Sequence, residues 1–174
     1  MKQVIVAAVS IVLLSGAGSS DWKYWGASGD ATGKFQNFFE KNGIERLPGG
    51  HIKVWTKALD WNAVEKHKPS PIEMHQAVDR IGHYYFPELA KAQTLSKDQM
   101  MDSVLLEAVA NGGSILPRLQ TLFEIDCVGK MSRPLSIISN NNGRIQSSDK
   151  EGEWMHTAPD SSFSILAKIL CPLT

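Results

Sequence analysis

The chain has two cysteines, Cys127 and Cys171, which admit one pairing, and no other feature would restrict its fold as much. Cys127 follows an alternating run in which Leu119, Thr121, Phe123 and Ile125 face one way and Gln120, Glu124 and Asp126 the other. That is the pattern of a half-buried β-strand with Cys127 on its core side. Cys171 closes an apolar helical stripe of Phe163, Ile165, Leu166, Ile169 and Leu170, which Asp160 or Ser161 can cap and Pro172 terminates. A bond between the two cysteines would pin a C-terminal helix to the core face of that strand. Closing the 44-residue loop is worth about 4 kcal/mol by the chain-entropy estimate. The competing reading is two free thiols, one of them nucleophilic, but no C-x-x-C spacing points to redox catalysis.

Whether the thiols pair depends on the compartment, and the N-terminus supplies an address. Lys2 is followed by the apolar run Val4 to Leu14 and then by Ser15, Gly16, Ala17, Gly18, Ser19 and Ser20, the pattern of a signal peptide over residues 1–20. The run has 11 residues, about half of the roughly 20 that a spanning helix needs. Cleavage after Ala17 or Ser19 is expected, leaving no membrane anchor. No cysteine lies near the segment for the acylation that a lipoprotein signal requires, so the expected product is periplasmic or secreted. An oxidising compartment makes the disulfide the expected state. The mature region, residues 21–174, has the size of a single domain and a net charge of −1. Such a balance gives no broad attraction to nucleic acid, which is excluded as a partner.

Within that domain the first half reads as strands. Asp21 to Ala27, Lys34 to Phe39 and Ile44 to Leu47 are rich in aromatic and branched residues, and Pro48-Gly49-Gly50 makes a turn into His51 to Trp55. Here Ile52, Val54 and Thr56 alternate with Lys53, Trp55 and Lys57. From about Asp60 to Gly113 the periodicity becomes helical. Ser70, Pro71 and Glu73 form a capping box before the stripe Met74, Ala77, Val78, Ile81 and Tyr85, with Pro87 as its stop. A second helix starts at Ser96 with Gln99 and ends at Asn111-Gly112-Gly113. Strands return at Leu119 to Cys127, Met131 to Ser139 and, after the turn Asn140-Asn141-Asn142-Gly143, Arg144 to Gln146.

The order of an early Asp21-Trp22, an aromatic strand, Val54-Trp55, Glu124-Ile125-Asp126-Cys127, Arg133-Pro134-Leu135-Ser136-Ile137, Trp154, Ala158-Pro159-Asp160-Ser161 and Cys171 resembles the bacterial surface-adhesin protein E-like family. The similarity covers roughly residues 21–57 and 119–171. It implies a small antiparallel sheet with a C-terminal helix, a disulfide, and an exported protein, in a family named for members that adhere to host proteins. Two departures stand out: the helical insertion at about 60–113, and the missing lipidation cysteine.

The residues offer little catalytic chemistry. His75, Asp79 and His83 follow one another at four-residue steps, but the outer two lie about 12 Å apart along a helix, so one metal cannot take all three. His51, His67 and His156 sit in unrelated contexts, and none shows H-E-x-x-H spacing. Glu124 and Asp126 are about 7 Å apart on one strand face, a separation that would suit a pair of glycosidase carboxylates; they are read as solvent-facing acids. No G-x-S-x-G elbow or phosphate-cradling loop is present. No cofactor or catalytic residue is assigned, and the protein is not read as an enzyme.

The aromatic residues make the best binding clue. Of five tryptophans, at least three are expected in the core, and Trp55 and Trp154 are the candidate binding aromatics. Trp55, opposite Ile52 and Val54, is expected to lie on the second sheet face beneath the inserted helices.

The expected fold is therefore α+β: an antiparallel sheet of about five to seven strands, an inserted two-helix segment and a disulfide-tied C-terminal helix. The expected role is non-enzymatic binding of a protein or small-molecule ligand outside the cytoplasm. A periplasmic structural or envelope-assembly factor is the alternative, and an enzyme of unrecognised type comes third.

Overall fold

Strand periodicity dominates the chain, and the computed structural model assembles the described residues into one antiparallel sheet of eight strands. Residues 20–30, 33–67, 97–113, 115–159 and 161–171 are described, with the side chains of 30, 33 and 97–104 left aside. Residues 1–19 of the predicted signal segment 1–20, the helix beginning at Ser70, the His75/Asp79/His83 set, the Ser96 cap and Asp160 lie outside the described residues. Strands β1 (Trp22–Asp30), β2 (Gly33–Glu40), β4 (His51–Asp60), β5 (Leu119–Asp126), β6 (Met131–Asn141) and β7 (Arg144–Ser148) run in the order β1-β2-β4-β5-β6-β7. Strand β3 (Glu45–Leu47) joins the first end of β4, and β8 (Met155–His156) pairs with the start of β6. The expected five to seven strands thus become eight. The one without a sequence signal is β8, because two residues cannot display a period and only their position beside Met131 and Ser132 makes them a strand. Strand β4 also runs to Asp60, five residues past its predicted end.

Alternation sorts the side chains into two layers. Ile52, Val54, Phe39, Ile125 and Trp25 gather on one face with Leu166 and Leu170 of the C-terminal helix α3 (Ser162–Leu170). Ser161 caps that helix by accepting from the Ser164 amide. The Phe163 ring packs edge-on against Trp25 and Phe123, with centroids 6.4 and 4.7 Å apart. The Cys127–Cys171 disulfide closes this layer with its Cα atoms 5.5 Å apart. The strand-facing assignment of Cys127 and its pairing are as the sequence predicts.

The opposite face carries α1 (Trp61–Lys66) and α2 (Lys97–Gly112), the described parts of the insertion. Asp60 caps α1 through the amides of Asn62 and Ala63. Phe38, Leu59, Val64, Val109 and Ala110 are buried there. Among the described residues no helix is long and apolar enough to cross a membrane.

Helix α2 also finishes the β1 edge. The Asn111 side chain accepts from the Trp22 amide and donates to the Trp22 carbonyl, at 2.9 and 3.1 Å, while Glu107 accepts from the Tyr24 amide at 3.2 Å. Side chains four apart on a helix are spaced by about 6 Å, close to the roughly 6.7 Å between alternate strand residues, so one helix turn can occupy the outward groups of an edge strand. The same seam buries charge. Lys23 pairs with Glu107 at 3.4 Å and Asp21 at 3.0 Å. Lys57 donates to the Ala110 carbonyl in the last turn of α2 at 2.7 Å, with the Trp22 ring centroid 4.2 Å away. Burial draws Lys57 down to about 8, against a partial upward pull from Glu40.

Burial likewise pushes Glu107 up to about 7, opposed by Lys23 and the Tyr24 amide. The folded protein therefore keeps a proton that the unfolded chain releases near 4.5, so this group makes stability fall as pH rises from about 4.5 to about 7. Glu107→Gln retains an acceptor for Tyr24 and removes the titration. The difference in melting temperature between variant and wild type should move in favour of the variant across that window; an unchanged difference would disprove the assignment.

Candidate functional site

Acidic and basic side chains placed side by side on a sheet must either pair or stay hydrated, and at one corner of the second face they pair. The register puts Lys53 of β4, Glu124 of β5 and Arg133 of β6 in one row, with His51 diagonal to Glu124. Glu124 is 7% exposed. It accepts from Arg133 through Nε and Nη2 at 3.0 and 2.8 Å on one oxygen, and meets His51 Nδ1 at 2.9 Å on the other. Since an ionised carboxylate only accepts, Nδ1 carries the proton in that bond. Arg133 reaches on through Nη1 to Glu151 at 2.8 Å, where the carboxylate is mostly exposed.

Trp154 completes the cluster. The guanidinium carbon of Arg133 lies 4.8 Å from the ring centroid, and the His51 ring meets the indole edge-on at 5.7 Å and 85°. The loop that delivers Glu151 and Trp154 is seated on β6 by a 2.8 Å bond from the Gly152 amide to the Pro134 carbonyl. A Cβ at Gly152 would fall 2.7 Å from Pro134 Cγ, so this close approach needs glycine. Pro134 itself stands at the register shift opposite Leu122 and Phe123, where a strand tolerates a residue with no N–H.

Burial by itself would favour the neutral acid at Glu124, but the hydrogen bonds and charge of Arg133 and His51 outweigh it and hold the carboxyl below its usual value. A group so held is ionised and fully engaged, suited to fixing Trp154 and Arg133 in place rather than to shuttling protons. Its contribution is complete above the unfolded value of 4.5 and is lost as pH falls through the lower folded value. Glu124→Gln should cost about 1–3 kcal/mol at pH 7, with Arg133 and His51 partly exposed and able to recruit water. The gap from wild type should close at strongly acid pH. Melting curves at pH 7 and pH 3 test this, and equal losses at both would refute it.

The reading of Glu124 and Asp126 as a pair of solvent-facing acids is corrected here. Glu124 is buried because long basic neighbours on both adjacent strands reach over it, while Asp126 turns back to accept from the amides of Val128 and Gly129 at 3.0 and 2.8 Å. Sequence reasoning also left His51 in an unrelated context. Only the antiparallel register, which sets position 51 diagonal to 124, brings it in. Arg133 appears in the sequence reading only within a motif, and its pairing needed the same register.

Trp154 thus lies in the cluster, half-buried. Trp55 shares the second face, in the next row with Leu122 and Ser136, and is half-buried too. On that face Lys57, between Trp55 and Leu59 along β4, reaches the Ala110 carbonyl of α2, and Phe38 and Leu59 are buried in the cluster that Val109 and Ala110 join. Of the five tryptophans only Trp25 is fully buried, at 4% exposure; the expectation of three or more in the core fails because so large a ring is rarely enclosed on every side. Among the described residues no group of three or more His, Cys, Asp or Glu side chains is placed to hold a metal ion. No family model matches the chain, and comparison with curated proteins and with solved structures returns no match.

Proposed function

We propose that the mature protein is an exported, non-enzymatic binding protein of the kind implied by its resemblance to surface-adhesin protein E-like proteins. The observation that carries this reading is the clamped Trp154. A half-buried indole held by contacts with Arg133 and His51, with Arg133 itself tied to Glu151, offers a preorganised aromatic contact at little entropic cost, the kind of group that anchors protein recognition. The carboxylate behind it is occupied by its neighbours and has no proton to offer a substrate near neutral pH. The disulfide supports an oxidising compartment outside the cytoplasm.

Protease treatment of intact cells, compared with osmotically released periplasm, tests the reading. Cleavage on intact cells is the expected result, and cells carrying Trp154→Ala should then lose attachment to host-protein-coated surfaces that wild-type cells bind. A protein that is protected on intact cells and freely released on osmotic shock is instead a periplasmic structural or envelope-assembly factor. Intact mass retaining residues 1–20 would overturn export in either form.

A further inference from the structure

The two edges of the sheet are finished differently. At β1 the outward N–H and C=O of Trp22 and the N–H of Tyr24 are taken by Asn111 and Glu107 of α2. At the other edge, β7 pairs among the described residues with β6 alone, and all five of its residues are exposed, Ile145 by 68%. The β6–β7 turn is Asn142-Gly143 with φ of 50° and 85°, the left-handed pair of a type I′ hairpin. In such a hairpin the flanking residues Asn141 and Arg144 exchange both hydrogen bonds. Alternation then engages Gln146 and Ser148 with β6 and turns the N–H and C=O groups of Ile145 and Ser147 outward. The strand has no proline, inward charge or register shift to discourage a neighbour.

The surroundings of this edge select a partner. Gln146, Ser147 and Ser148 join Ile137 and Ser139 around an open cavity of about 510 Å³, and Ile145 beside it stands bare. Arg144 opens the strand and Lys150 lies two residues past its end, both exposed and neither in an ion pair among the described residues. The acid between them, Asp149, accepts from Ser136 at 2.7 Å.

We propose that β7 is a strand-addition site for an extended segment of another polypeptide, with a β-branched apolar residue over Ile145 and acidic residues at its ends facing Arg144 and Lys150. Backbone groups of Ile145 and Ser147 supply the ladder, and the end charges supply the choice of partner. A second copy of the chain fits less well. The antiparallel register that uses both outward residues of each copy centres on Gln146, and it sets each Arg144 diagonal to the other copy's Lys150, a like-charge contact. So short a strand buries less than about 1,200 Å², which places the association in the transient class.

The test uses the mature protein, isotope-labelled, with an acetylated, amidated peptide of sequence EVTVTE and its lysine-ended counterpart KVTVTK. The acidic peptide should slow amide exchange of Ile145 and Ser147 roughly tenfold while leaving Gln146, already bonded within the hairpin, unchanged. At low salt it should bind about fivefold more tightly than the lysine-ended peptide, and the double variant Arg144→Glu with Lys150→Glu should reverse that preference. Ser147→Pro, which removes an outward donor only, should abolish the protection without breaking the β6–β7 hairpin. Trp154→Ala should leave peptide binding intact, so this surface and the clamped indole stand or fall separately. No slowing at millimolar peptide, equal affinity for both peptides, or protection of these amides that accompanies doubling of the protein's mass without peptide would each overturn the proposal.

Discussion

Replacing Cys127 or Cys171 by serine is expected to cost about 4 kcal/mol, and so to lower the melting temperature by roughly 8–16 °C for a domain of this size. The bond closes a 44-residue loop that contains β6, β7, β8 and the whole of α3, none of which has another covalent tie. Its loss frees the unfolded chain while leaving the folded contacts largely in place. Leu166 and Leu170 would still press against Val54, Ile125 and Trp25, and Arg46 would still donate to the Leu170 carbonyl at 3.3 Å. The variant should therefore retain helix α3 in the native state yet melt early. Thermal melts with and without reductant, read beside non-reducing intact mass, check this. Coincident melts from a protein shown to be oxidised would mean that the unfolded chain is restrained by something other than the disulfide.

Phe38→Ala should destabilise by about 3–5 kcal/mol, the range for emptying a fully enclosed aromatic site. Phe38 has no exposed surface, lies opposite Lys57 in the sheet and meets the Tyr24 ring at 5.7 Å between centroids. It packs with Leu59, Val64, Val109 and Ala110, where the insertion closes over the sheet. The void would sit directly beneath α2, and amide exchange in that helix should accelerate more than in α3. Ile145→Ala on the exposed edge should change stability by no more than about 0.5 kcal/mol. A loss at Phe38 under about 1 kcal/mol would mean that α1 and α2 do not seal this face.

The correspondence between sequence and structure follows the range of the interactions involved. Alternation over Leu119–Ile125 placed β5 and turned Cys127 toward the core, because side-chain direction along a strand is a local property. The Ser161 cap and the Asn-Gly turn were legible for the same reason, each being set by a few neighbouring residues. The second cluster was legible only in outline. Helical spacing in the insertion predicted a cover for the other sheet face, but that Phe38 and Leu59 would lie beneath it depends on the β2–β4 register.

The candidate site was the least legible part. Glu124 looks from its own strand like any polar residue alternating with apolar ones, and nothing local distinguishes it from Gln120. It is buried because His51, 73 residues away, and Arg133, 9 residues away, converge on it from the two neighbouring strands. The strand β8 and the finishing of the β1 edge by Glu107 and Asn111 arise in the same way. By itself the sequence determined the strand and helix periods, the caps and turns, and the single possible disulfide, since each is dictated by neighbours along the chain or by simple counting. Only the tertiary structure decided which charges meet, which indole is clamped and which sheet edge is left open, because those depend on strand register and helix placement, where residues far apart in sequence compete for the same few ångströms.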